Sequence, residues 1–143
     1  MISIFKIDTR SYIIIYMDSL TYANTIPFVP PIEIGKVIKV YDGDTITVGA
    51  ILLDKPYRFS VRLRGVDTPE MKGGSAIEKG LAIKARDELS KRIMNKIVQL
   101  KNIETEKYGR ILADVYVEDE CMNEWLIKEG YAKKYDGGHK EAW

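Results

Sequence analysis

Apolar and polar residues alternate along the middle of this chain, and the alternation has a strand's period of two before it changes to that of a helix. Gly35-Lys-Val-Ile-Lys-Val-Tyr41 and Thr45-Ile-Thr-Val48 are rich in β-branched residues and flank Asp42-Gly43-Asp44, which reads as a turn. A third strand follows a turn at Asp54-Lys55-Pro56. In it Tyr57, Phe59, Val61 and Leu63 alternate with Arg58, Ser60, Arg62 and Arg64, so Arg62 and Arg64 fall opposite the apolar row. Gly73-Gly74-Ser75 breaks this pattern. Ala76 to about Met94 then places Leu81, Ala82, Ala85, Leu89 and Ile93 on one side of an amphipathic helix. Two further strands, around Ile97 to Ile103 and Ile111 to Val117, flank a turn at Lys107-Tyr108-Gly109-Arg110. A short helix from about Met122 to Glu129 ends at Gly130, which suits a left-handed C-terminal position. The order β-β-β-α-β-β-α predicts an α+β chain, mainly β with helices, in the form of a small five-stranded OB-fold barrel.

The first thirty residues read differently. Lys6 and Arg10 precede a short apolar run, Tyr12 to Met17, that imitates a secretion signal but is cut short by Asp18. The other readings of this run are a β-branched strand or a loosely attached extension. Pro27, Pro30 and Pro31 exclude helix and fix an extended linker. The expected division is therefore an extension and Pro-rich linker over 1–33 and one folded domain over 34–143.

Composition narrows the function. The chain has 143 residues, enough for one core, and no apolar run long enough to span a membrane. A soluble, monomeric protein is expected, cytoplasmic rather than exported because the signal is weak. Lys plus Arg number 22 against 21 Asp plus Glu, so any contact with nucleic acid must come from a local site rather than from overall charge. Cys121 is the lone cysteine, which excludes an intramolecular disulfide framework and a thiolate cluster. His139 is the lone histidine and reads as an exposed or substrate-side residue.

Three segments concentrate side chains that bind metal or phosphate: Asp42-Gly-Asp44-Thr45, Arg62-Leu-Arg-Gly-Val-Asp67-Thr68-Pro69-Glu70, and Lys107-Tyr-Gly-Arg110. Alone, each is an ordinary turn or cap. Together they offer hard oxygens of the kind Ca²⁺ prefers and planar guanidiniums that match phosphate.

With Val40-Tyr-Asp-Gly-Asp-Thr45 and Met122-Asn-Glu-Trp-Leu126, these segments resemble the staphylococcal nuclease-like (thermonuclease) family, in family order from about Gly35 to Lys133. The resemblance implies an OB barrel bearing a Ca²⁺-dependent phosphodiesterase site. In it Asp44, Asp67 and the Thr68 carbonyl would bind Ca²⁺, Glu70 would be the general base, and Arg62 and Arg110 would hold the scissile phosphate. Lys107, Tyr108, Tyr131 and Tyr135 are the expected substrate contacts. The implied activity is hydrolysis of DNA and RNA, single strands favoured, with little sequence specificity and 3′-phosphate and 5′-hydroxyl products. The alternative is a non-catalytic OB module that binds nucleic acid or a protein partner. The family's pair of base-stacking tyrosines falls here on Asp136 and Gly138, and the longer hairpin between Asp44 and Arg62 reads as loop variation. The arginines and Glu70 are expected on a surface, where their replacement should leave folding intact.

Overall fold

The computed structural model describes residues 9–143. Its body is a closed five-stranded barrel of β1 (Ile34–Val40), β2 (Thr45–Leu52), β3 (Lys55–Leu63), β5 (Ile97–Thr105) and β6 (Ile111–Val117). Neighbours run antiparallel in the order β3-β2-β1-β5-β6, and the barrel closes where Val61, Arg62 and Leu63 of β3 pair in parallel with Ile111, Leu112 and Ala113 of β6. Closure removes the sheet edges that an open five-stranded sheet would expose. The architecture is the α+β OB-fold barrel that the strand and helix order predicts.

Inward side chains fill the interior. Val37, Ile46, Val48, Val61, Leu63, Val98, Ile111 and Val115 are buried, as period two requires. Helix α2 (Ala76–Ile93) covers one end with Ala82, Ala85, Leu89 and Ile93. Its start is fixed by Ser75, whose hydroxyl accepts from the Glu78 N–H at 3.1 Å. Leu81 corrects the predicted stripe: it is exposed, one position off the face that the alanines bury. Helix α3 (Met122–Lys128) covers the side with Met122 and Leu126 and stops at Gly130, whose φ of +77° is the left-handed conformation expected there.

Three short strands escape the sequence pattern: β4 (Val66–Asp67), β7 (Glu120–Cys121) and β8 (Lys133–Lys134). Two residues carry no periodicity to detect. β4 and β8 pair with each other, Val66 opposite Lys134 and Asp67 opposite Lys133, which ties the C-terminal part of the chain to the segment following β3.

Two further expectations change. The long connection between Asp44 and Arg62 is ladder rather than loop: eight β2–β3 pairs run from Thr45↔Arg62 to Leu52↔Lys55. A two-residue turn closes it, with Leu53 and Asp54 at φ of 52° and 63°, the mirror-image geometry that suits a twisted hairpin. The apolar N-terminal run is helical, not a strand. α1 (Thr9–Asp18) buries none of its side chains, and the residues before it, Lys6 included, lie outside those described.

Candidate active site

The ends of β2 and β3 bring the first two motifs together. Thr45 pairs with Arg62, and the Leu63 N–H donates to the Asp44 carbonyl at 2.8 Å, so Asp44 and Arg62 emerge side by side. Gly43 permits a tight approach here: a Cβ at that position would lie 2.8 Å from Thr68 Cγ2 and 3.0 Å from the Ala85 Cβ. The turn therefore seats directly on the Asp67-Thr68 segment and on α2.

Asp44 is buried, and its carboxylate accepts from the Thr45 hydroxyl at 3.1 Å and the Thr68 N–H at 3.4 Å. Arg62 Nη2 stands 3.7 Å from it. That guanidinium is not freely exposed, contrary to the surface position expected: its side chain is only 11% accessible. It donates to the Val66 carbonyl at 3.1 Å and reaches the Leu63 carbonyl at 3.4 Å. The ring of Tyr135 lies beneath it, 5.6 Å from Cζ.

Asp67 and Thr68 are also buried. Asp67 Oδ1 accepts no well-directed hydrogen bond, although Lys140 Nζ stands 3.1 Å away. Asp67 Oδ2 faces the Trp143 indole N–H at 3.4 Å. Glu70 is exposed, with Oε1 3.6 Å from the same lysine. Arg110, immediately before β6, donates through Nε to Glu106 at 2.9 Å across the Lys107-Tyr108-Gly109 turn, where Gly109 has a φ of +82°. Asp44, Arg62, Glu70, Arg110 and Lys140 line one cleft of about 450 Å³ on the barrel face, joined by Asp42 and Tyr41.

Two titrations are displaced here. Burial, then the charge of Asp44 and a hydrogen bond with it, push Asp42 up to about 7. For Lys140, partial burial works against the ammonium, but contact with Asp67 and the negative charges of Asp67 and Glu70 outweigh it and raise its pKa.

Among the described residues, no group of three or more His, Cys, Asp or Glu side chains is arranged to hold a metal ion. The site offers two buried carboxylates, Asp44 and Asp67, one of them with an oxygen that accepts no hydrogen bond. The Lys140 ammonium, 3.1 Å from Asp67 Oδ1, already partners this buried anionic oxygen, and hard carboxylate oxygens of this kind also fit a divalent cation.

The expected substrate contacts divide. Lys107 and Tyr108 are exposed on the turn beside Arg110, Tyr108 at 82%. Tyr135 is half-buried under Arg62 and Lys140. Tyr131 packs on Trp125, ring centroids 5.5 Å apart, and belongs to the edge of the core. Residues missed by sequence reasoning are Tyr41, Glu106, Lys140 and Trp143. Tyr41 adjoins the Asp-Gly-Asp turn and so had a local signal, whereas Lys140 reaches the cleft, and Trp143 reaches Asp67, in a C-terminal segment tied back by the β4–β8 pairing.

The buried Asp44, two arginines and an exposed glutamate line one cleft of an OB barrel, with Asp67 and Thr68 buried behind it rather than in its lining, a site suited to a phosphate ester and a hard cation. Residues 60–142 match the family model described as staphylococcal nuclease homologue, and the chain belongs to that family. It is 34% identical to an uncharacterized protein of Methanocaldococcus jannaschii, covering 84% of this chain and 69% of that one. It is 40% identical to a thermonuclease of Staphylococcus hyicus over 68% of this chain and 57% of the relative. An uncharacterized endonuclease of Escherichia coli is 30% identical, over 71% and 61% respectively. The chain thus spans less than two thirds of the length of these two nucleases.

Proposed function

We propose that this chain is a Ca²⁺-dependent endonuclease that hydrolyses phosphodiester bonds of DNA and RNA, with residues 34–143 as the nuclease unit and 1–33 as an extension. The observation that carries the reading is the convergence of Arg62, Arg110 and Glu70 with the buried Asp44 on one cleft. Names of relatives support it at the level of nuclease and endonuclease.

In this mechanism Arg62 and Arg110 donate to the non-bridging phosphoryl oxygens, where negative charge grows as water attacks phosphorus. Arg62 is preorganised by its two carbonyl contacts, whereas Arg110 exchanges Glu106 for the phosphate. Glu70, exposed and in long contact with Lys140 at 3.6 Å, takes the proton of the attacking water. A new P–O bond forms from that water while the bond to the 5′ oxygen breaks, and the 5′ oxygen leaves as a hydroxyl after taking up a proton from solvent. The products carry a 3′-phosphate and a 5′-hydroxyl. Asp44, Asp67 and the Thr68 carbonyl would hold Ca²⁺, which when bound supplies further positive charge at the phosphoryl oxygens. Lys107, Tyr108 and Tyr135 would contact the strand around the cleft. Because phosphate contacts dominate, sequence preference is low, and a single strand enters an open surface cleft more readily than a duplex. Tyr131, turned toward Trp125, has the weakest claim as a contact.

The test is cleavage of heat-denatured DNA with Ca²⁺, with a chelator instead, and by a Glu70→Ser variant whose folding is checked by circular dichroism. Ca²⁺-dependent cleavage that collapses in the folded variant is expected. A folded wild type that cleaves nothing with any of several divalent ions would sink the proposal.

A further inference from the structure

Beyond β8 the chain returns to the cleft. Lys133 donates to the Ala142 carbonyl and stands 4.6 Å over the Trp143 ring, and Trp143 in turn faces Asp67. Between these anchors Lys140 places Nζ 3.1 Å from Asp67 Oδ1 and 3.6 Å from Glu70 Oε1. Lys140 also shares the Tyr135 ring with Arg62, the two cations lying 5.3 and 5.6 Å from its centroid. The Arg62 charge opposes the Lys140 ammonium unless an anion lies between them or beside them. Here the beside-lying anions are Asp67 and Glu70. A divalent cation at Asp67 removes that compensation and leaves an ammonium and a guanidinium facing the same cleft, an arrangement that attracts a phosphate.

We propose that Lys140 is a substrate-phosphate ligand, parked on Asp67 and Glu70 until a divalent cation takes Asp67. The proposal rests on the Ca²⁺-dependent reading given above. The Lys140 side chain is 44% exposed, already lines the cleft and follows Gly137 and Gly138, so its ammonium can swing from the carboxylates to a phosphate without disturbing the core. Lys140 then acts in opposite directions on the two ligands. It competes with Ca²⁺, and it assists the nucleotide once Ca²⁺ is bound.

The experiment compares wild type, Lys140→Gln, Lys140→Arg and Lys39→Gln. Lys39 lines the same cleft but sets its ammonium over the Tyr41 ring, 5.8 Å from the centroid, so its loss controls for charge alone. Ca²⁺ binding is measured by calorimetry, and steady-state cleavage of a short single-stranded DNA oligonucleotide is measured at saturating Ca²⁺. Partly exposed ion pairs of this kind correspond to roughly two- to fivefold each. Lys140→Gln is therefore expected to bind Ca²⁺ at least about threefold more tightly, with KM raised by a similar factor and kcat within about twofold. Lys140→Arg should stay near wild type, and Lys39→Gln should leave Ca²⁺ affinity unchanged. Unchanged or weaker Ca²⁺ binding by Lys140→Gln, equal tightening by Lys39→Gln, or a fall in kcat at constant KM would each overturn the proposal while leaving a working nuclease. A wild type that neither binds Ca²⁺ nor cleaves overturns the nuclease reading itself, and this proposal with it.

Discussion

Arg62 and Arg110 share a proposed task but are embedded differently, and replacing each with alanine separates chemistry from folding. Arg62 is almost buried, donates at 3.1 Å to the Val66 carbonyl, approaches the Leu63 carbonyl at 3.4 Å and lies 3.7 Å from the buried Asp44. Charged hydrogen bonds contribute about 1.5–3 kcal/mol, and stranding a buried partner costs about 3–5 kcal/mol. The 3.7 Å separation is long for a full ion pair, so we expect Arg62→Ala to lose about 3 kcal/mol of stability. Arg110 is 39% exposed and, among the described residues, paired with Glu106 at 2.9 Å, a contact of the surface kind that contributes about 0.2–1 kcal/mol. Urea unfolding in chelator measures both variants away from the chemistry. Cleavage at a temperature where each is folded then measures catalysis, with a loss on the order of 10²- to 10³-fold expected for either. Equal destabilisation of the two variants, or an Arg62→Ala protein as stable as wild type, would refute the argument that burial separates them.

The remaining predictions concern the frame and the acids. Asn123 is buried, accepts from the Val115 N–H at 3.0 Å and donates to the Arg64 and Ala113 carbonyls at 2.8 and 3.2 Å. Asn123→Ala leaves these groups without partners, and a loss of about 3 kcal/mol in urea unfolding is expected, a loss below about 1 kcal/mol contradicting it. Asp42 predicts a pH effect of definite sign. Its folded pKa, about 7, lies above the ordinary carboxylate value, so its stabilising contribution is present at low pH and is lost as pH rises toward about 7. In chelator, Asp42→Asn should therefore become progressively more stable than wild type between about pH 4 and 7, with the difference level above that range. A difference independent of pH would show that Asp42 is ionised throughout.

The barrel was legible in the sequence because its strands depend on local periodicity. Val61 and Leu63 point inward and Arg62 away for no reason beyond the pleat, and Ser75 by its hydroxyl and Gly130 by its left-handed backbone mark helix ends locally. Asp44, Arg62, Asp67, Thr68, Glu70 and Arg110 stood out because the residue types needed for cations and phosphate recur in three short segments. The tertiary structure decided how deeply each is embedded. Whether Arg62 is a surface group or a buried strut depends on where Val66 and Asp44 lie, and the alternation along β3 does not contain that information. Nor does local pattern reveal that Tyr131 packs on Trp125 while Tyr135 supports two cations, since both are tyrosines a few residues apart. The partners of Asp67 come from Lys140 and Trp143, more than seventy residues later, and only the pairing of β4 with β8 brings them there. Local sequence fixes which way a backbone runs and which face is apolar, whereas charge pairing is a property of distance in space, and distance is set only when the barrel closes.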